Sequence, residues 1–127
     1  MTYVDTNIFV YLLENTPKLG RLAAELLTAQ QTAGEVLVSS TLAFTEFIAG
    51  AKDENAAALL LSVPVSTFVA VDQEIAISAG TLQRKHGLKI GDAIHLASCI
   101  QAQSTSLITN DLKLAKVAAN YVTVIQL

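Results

Sequence analysis

Cysteine is almost missing from this 127-residue chain, where Cys99 is the only one. A lone thiol closes no internal disulfide, which excludes a disulfide-stapled scaffold and points to a reducing, cytoplasmic setting. Its place in an apolar helical pattern reads as buried packing rather than as a catalytic thiol. Charged or polar residues interrupt every apolar stretch before it reaches bilayer length, so no membrane association is expected. The N-terminus carries no basic segment ahead of an apolar one, and no secretory signal is read there. Internal repeats, linkers and low-complexity segments are also missing. Basic residues are scarce, eight against eleven acids, and the net charge of −3 works against a broad nucleic-acid-binding surface. It leaves room for an acidic site that gathers divalent cations.

What the chain has instead is apolar residues, 52% of the total. The length fits one domain, 1–127, with a real core, and the apolar surplus predicts burial against another chain, such as a homodimer. Helices 18–32 and 41–61, rich in Leu and Ala, are the candidate interface. Short apolar strands are predicted at Tyr3–Asp5, Val36–Ser39, Thr67–Val71, Ser106–Thr109 and Tyr121–Ile125. Between them, helical spacing and cap residues predict Asn7–Glu14, Lys18–Thr32, 41–50, Asp53–Leu61, Gln73–His86, Ile90–Gln103 and Leu112–Ala118. Thr16 and Pro17 read as the cap and first residue of the second helix. Strands alternating with helices predict an α/β fold around a parallel sheet covered on both faces.

The acids are distributed unevenly. Seven sit in ordinary solvated settings, while Asp5, Glu46, Asp92 and Asp111 each stand alone in an apolar stretch. Asp5 lies in TYVDTNIFVYLL, with no basic residue before Lys18. Glu46 is the only charge between Glu35 and Lys52, and helical spacing puts it on a face with Leu42 and Ala49, toward packed structure. Asp92 opens the apolar helix IGDAIHLASCI, and Asp5 and Asp111 each follow a strand. Positions just beyond the carboxyl ends of parallel strands line the ligand crevice of such a sheet. Each acid also has a plain structural reading: Asp5 an Asx turn, Glu46 a reach to solvent, Asp92 and Asp111 helix caps. Four convergent carboxylates repel one another unless their pKa values rise or a cation enters. Oxygen donors without a Cys/His cluster favour Mg²⁺ or Mn²⁺ over Zn²⁺, and such ions support phosphodiester hydrolysis. His95 and His86 are left out of the candidate set; His95 reads as a packing residue beside Asp92.

These segments resemble the PIN-domain ribonucleases, in particular the VapC-like toxins of toxin–antitoxin pairs. VDTNIFVYLL carries the first acid, Asp5, followed by the small polar residues Thr6 and Asn7. TLAFTEFIAG supplies Glu46, GDAIHLASC supplies Asp92 in a D-A-x-x-x-A helix, and LITND supplies Thr109 and Asp111. The resemblance spans essentially the whole chain; Leu114 stands where many relatives have an aromatic residue. It implies a three-layer α/β/α fold and Mg²⁺- or Mn²⁺-dependent cleavage of RNA, with water as nucleophile. By that resemblance Asp5, Glu46, Asp92 and Asp111 hold metal, and Thr6, Asn7, Thr109 and Asn110 orient carboxylates or substrate. It further implies a cognate antitoxin as partner. Lys85, Lys89, Lys113 and Lys116 are candidate phosphate contacts, set against the ordinary reading of solvated lysines.

Two other readings use the same residues. A catalytically silent PIN-like module would bind RNA or protein without cutting, but has no need of four acids. A phosphotransfer receiver-like domain would show paired acids after its first strand and a Lys after its last. This chain has a single Asp5 and no such Lys.

Overall fold

The apolar strand residues pair into one five-stranded sheet in the computed structural model, which describes residues 1–127. The strands are β1 (Thr2–Val4), β2 (Leu37–Ser40), β3 (Thr67–Val69), β4 (Ser106–Ile108) and β5 (Thr123–Ile125). Their order is β3-β2-β1-β4-β5, and every neighbouring pair is parallel. Seven helices connect them: α1 (Thr6–Leu13), α2 (Leu19–Thr32), α3 (Leu42–Gly50), α4 (Ala56–Leu61), α5 (Gln73–His86), α6 (Ile90–Gln101) and α7 (Leu112–Ala118).

Period-two alternation splits the strand residues between two cores. Val4, Leu37 and Ile108 pack with Ile8, Phe9, Leu27, Phe47 and Leu60 from α1–α4. Tyr3, Val38 and Leu107 pack with Ile75, Leu82, Leu96, Cys99 and Leu114 from α5–α7. The result is the expected α/β/α sandwich, and it explains why the inner strands are apolar on both faces. β1 is the pivot. The chain first builds outward through β2 and β3, then crosses back to lay β4 on the other side of β1. The carboxyl ends of β1 and β4 therefore flank the point where strand order reverses, the place where open parallel sheets bind ligands.

Several boundaries differ from the sequence reading, each for a local reason. Asp5 follows β1 as the N-cap of α1, so that helix starts at Thr6. Pro17 does not open α2: Lys18, at φ 65°, turns the chain first. Asp53 accepts from the Asn55 amide (2.7 Å), and that turn shortens α4 to Ala56–Leu61. Gln103, at φ 58°, lies beyond the end of α6. Asp72, which accepts from the Ile75 amide, and Gly87, at φ 67°, bound α5 as expected.

No helix is long and apolar enough to cross a membrane. In α2–α4, Ile48 and Leu61 are the large apolar side chains left exposed, and α2 contributes none.

Candidate functional site

Three of the four isolated acids leave the sheet's carboxyl edge or its adjoining helix starts, and the fourth reaches them from α3. Asp5, directly after β1, is buried with 4% of its surface exposed. Its Oδ1 accepts from the Thr6 amide and its Oδ2 from Thr109 Oγ1, both at 2.8 Å. Thr109, just past β4, also accepts from the Asp111 amide (3.1 Å), so one hydroxyl joins the two strand-end acids. Asp111 caps α7 through a 2.8 Å bond from the Leu114 amide. Capping and clustering coexist at Asp5 and Asp111.

Glu46 extends from α3 over the start of α6. The buried stripe of α3 is Ala43 and Phe47, not Leu42 and Ala49, so Glu46 sits at the core's margin with its side chain 38% exposed. Thr6 Oγ1 donates to Glu46 Oε1 at 2.7 Å. Glu46 Oε2 lies over Gly91, where an added Cβ would come within 3.0 Å of it. Asp92 is the third residue of α6 rather than its cap, and Lys89 occupies the cap position.

The electrostatics show that the four acids share one field. Burial, then the charges of Asp111 and Asp5, push the Asp92 carboxyl up to about 6, with Glu46 adding to the rise. Burial also raises Asp5, against the pull of His95, Thr109 and the Thr6 amide. No lysine or arginine pairs with any of the four.

The basic side chain that does reach them is His95, which the sequence reading set aside. His95 is 1% exposed, with Nε2 2.6 Å from Glu46 Oε1, 3.0 Å from Thr6 Oγ1 and 3.5 Å from Asp5 Oδ1. Burial disfavours its charge, but the bond to Glu46 and the charges of Asp5, Glu46 and Asp92 outweigh that and raise its pKa. Burial likewise acts upward on Glu46, and His95 and Thr6 together bring that carboxyl below its ordinary range. Asp5 thus has a basic neighbour ninety residues along the chain. The available signal was spacing, since His95 falls one helical turn after Asp92.

The other supporting candidates separate. Thr6 and Thr109 are inside the network, whereas Asn7 is exposed. Asn110 Oδ1 accepts from the Leu127 amide at 3.0 Å. The four candidate lysines are exposed, and Lys113 Nζ donates to the Gly87 carbonyl. Cys99 is buried, which drives its thiol up to about 12 and makes it inert.

No three acid, His or Cys side chains stand as a ready-made ligand set. The hydrogen bonds above engage both oxygens of Asp5, Oε1 of Glu46 and Oδ1 of Asp111. The donor chemistry nonetheless fits a hard divalent cation: four carboxylates, two of them with pKa values raised by burial and by neighbouring acids, and no Cys or Lys among them.

The profile of one family, described as PIN domain, matches residues 2–120. Among solved structures, a toxin–antitoxin complex from Klebsiella pneumoniae is similar at 27% identity and TM-score 0.70, over 98% of this chain and 96% of that one. VapBC2 from Rickettsia felis, bound to a promoter DNA fragment, is similar at 20% identity and TM-score 0.67, over 99% and 98%. VapBC-1 from nontypeable Haemophilus influenzae matches at 22% identity and TM-score 0.66, over 99% and 98%. No curated protein matches.

Proposed function

We propose, from the premise that this chain belongs to the PIN domain family, that it is a divalent-metal-dependent endoribonuclease and the toxin of a toxin–antitoxin pair. PIN domains are generally nucleases. The observation that carries the reading is the set Asp5, Glu46, Asp92 and Asp111, gathered where strand order reverses with His95 as the one basic side chain among them.

Asp5 and Asp92 are the central candidates to hold Mg²⁺ or Mn²⁺, with Glu46 and Asp111 completing the set directly or through water. The cation would supply charge stabilisation at the phosphodiester and acidify water. The protein's own part is preorganisation. Thr6 and Thr109 fix the carboxylates of Glu46 and Asp5, and the α7 cap fixes Asp111. Asp92, which no hydrogen bond influences, is the acid freest to adjust its orientation.

The antitoxin partner is supported by similarity to toxin–antitoxin complexes. A cytoplasmic setting and a homodimer belong to the same proposal, with the α3–α4 face as the contact because Ile48 and Leu61 are exposed there. The test is incubation with an RNA panel in Mg²⁺, Mn²⁺ or EDTA, alongside Asp5→Asn and Asp92→Asn. Metal-dependent cutting by the wild type alone is expected. Cutting that survives EDTA or either substitution contradicts the metal centre, and RNA binding without cutting favours a silent module.

A further inference from the structure

The chemistry proposed above makes no use of a buried histidine, yet every polar contact of His95 belongs to the site or its support. Tyr3 Oη lies 2.8 Å from Nδ1, and Nε2 faces Glu46 and Thr6 at 2.6 and 3.0 Å. Tyr3 is itself 0% exposed and sits on β1, two residues before Asp5. The ring is therefore gripped at both nitrogens, its plane 66° from that of Tyr3. A core histidine serving only to fill space needs no such arrangement. Here one side chain on α6 links β1 to α3.

We infer that His95 is a positioning residue for Glu46: backed by Tyr3, it holds Oε1 and so fixes the orientation of Oε2 over Gly91, beside Asp92. Three observations fit together. Glu46 is carried on the margin of the core, where an unheld glutamate would sample many rotamers. Its Oε1 receives two bonds, from Thr6 and His95, while Oε2 is left for another partner. Oε2 approaches residue 91 so closely that an added Cβ would stand 3.0 Å from it, a tight contact that glycine avoids. Groups of this kind, which orient a ligand without touching the cation, typically change metal affinity by about 10–100-fold when removed.

The inference rests on the metal-centre reading, and the experiment separates the two. Mn²⁺ affinity is measured calorimetrically, with thermal melting as the fold control, for wild type, His95→Leu, His95→Gln and Tyr3→Phe. His95→Leu keeps bulk without a donor and is expected to weaken Mn²⁺ binding about 10–100-fold. His95→Gln restores an N–H and is expected to recover most of that loss, and Tyr3→Phe to lose less than His95→Leu. In a Glu46→Gln background the His95→Leu effect should largely vanish, because both changes act on the same carboxylate. Should His95→Leu fail to fold, Tyr3→Phe takes its place in the cycle. Wild-type affinity in folded His95→Leu, or a full effect persisting in Glu46→Gln, overturns the positioning role alone. A wild type that binds no Mn²⁺ overturns the metal centre and this role with it.

Discussion

Replacing Asp92 by Asn should make the metal-free protein more stable while removing its capacity to hold a cation. Burial and the charges of Asp111 and Asp5 lift the Asp92 carboxyl from 3.8 to about 6. The folded state thus binds more protons than the unfolded one between those values, and its stability falls as pH rises through that window. At 1.36 kcal/mol per unit, the ceiling on this cost is about 3 kcal/mol at pH 7. Asp92 is only half-buried, so screening by water brings it to about 1.5 kcal/mol. A carboxylate in the first turn of α6 also gains about 0.5 kcal/mol from the helix N-terminus, which Asn forfeits. The net gain for Asp92→Asn is about 1 kcal/mol, or about 3–5 °C in Tm for a domain of this size.

The assay is thermal melting in EDTA at pH 4 and pH 7. At pH 4 the difference should shrink toward zero, because Asp92 is then largely protonated in the fold. His95 adds to the slope of both proteins, since its raised pKa gives stability that is present below 6.5 and lost as pH rises through its folded value. With Mn²⁺ at a hundred times its Kd, wild type should gain about 2.7 kcal/mol and overtake the variant. An Asp92→Asn protein that melts lower than wild type at pH 7 in EDTA, or one whose gain is equal at both pH values, refutes the reasoning.

Two glycine substitutions should separate site from scaffold. Gly91→Ala places a Cβ 3.0 Å from Glu46 Oε2, so Mn²⁺ affinity should fall about 10-fold. Its Tm should move by less than about 3 °C, because alanine's helix preference offsets the contact; calorimetry and melting read the two effects. Gly20→Ala meets the Tyr11 carbonyl oxygen at 2.8 Å, a backbone atom with little freedom to retreat. It should cost about 1–3 kcal/mol in denaturant unfolding and leave the metal affinity of the folded fraction unchanged.

The fold was readable because its signals are local. Apolar runs bounded by caps marked β1, β2 and β4, and Asp72 with Gly87 bracketed α5. The misplaced ends arose where a side chain or a positive φ intervened: Lys18 ahead of α2, Asp53 ahead of α4 and Gln103 after α6. The isolated acids stood out because a carboxylate in an apolar stretch has few reasons to be there. His95 did not stand out. One imidazole in an apolar helix looks like core, and its partners Tyr3, Thr6 and Glu46 lie 92, 89 and 49 residues away. Local pattern carries no information at such separations; only the sheet order, with β4 beside β1, brings α6 onto the start of α1. The side of α3 that Glu46 occupies was misjudged for a similar reason. Ala43 and Phe47 define the buried stripe, and neighbouring helices rather than the α3 sequence decide which stripe is covered.

The central claim is that Asp5, Glu46, Asp92 and Asp111 form the cation site of a nuclease. Crystals grown with Mn²⁺, with anomalous diffraction recorded at the manganese edge, test it most directly. The account predicts an anomalous peak at the carboxyl ends of β1 and β4, coordinated by Asp5 and Asp92 and lost in Asp5→Asn. Crystals of RNA-cleaving protein with no such peak, or with manganese bound only elsewhere, would contradict it.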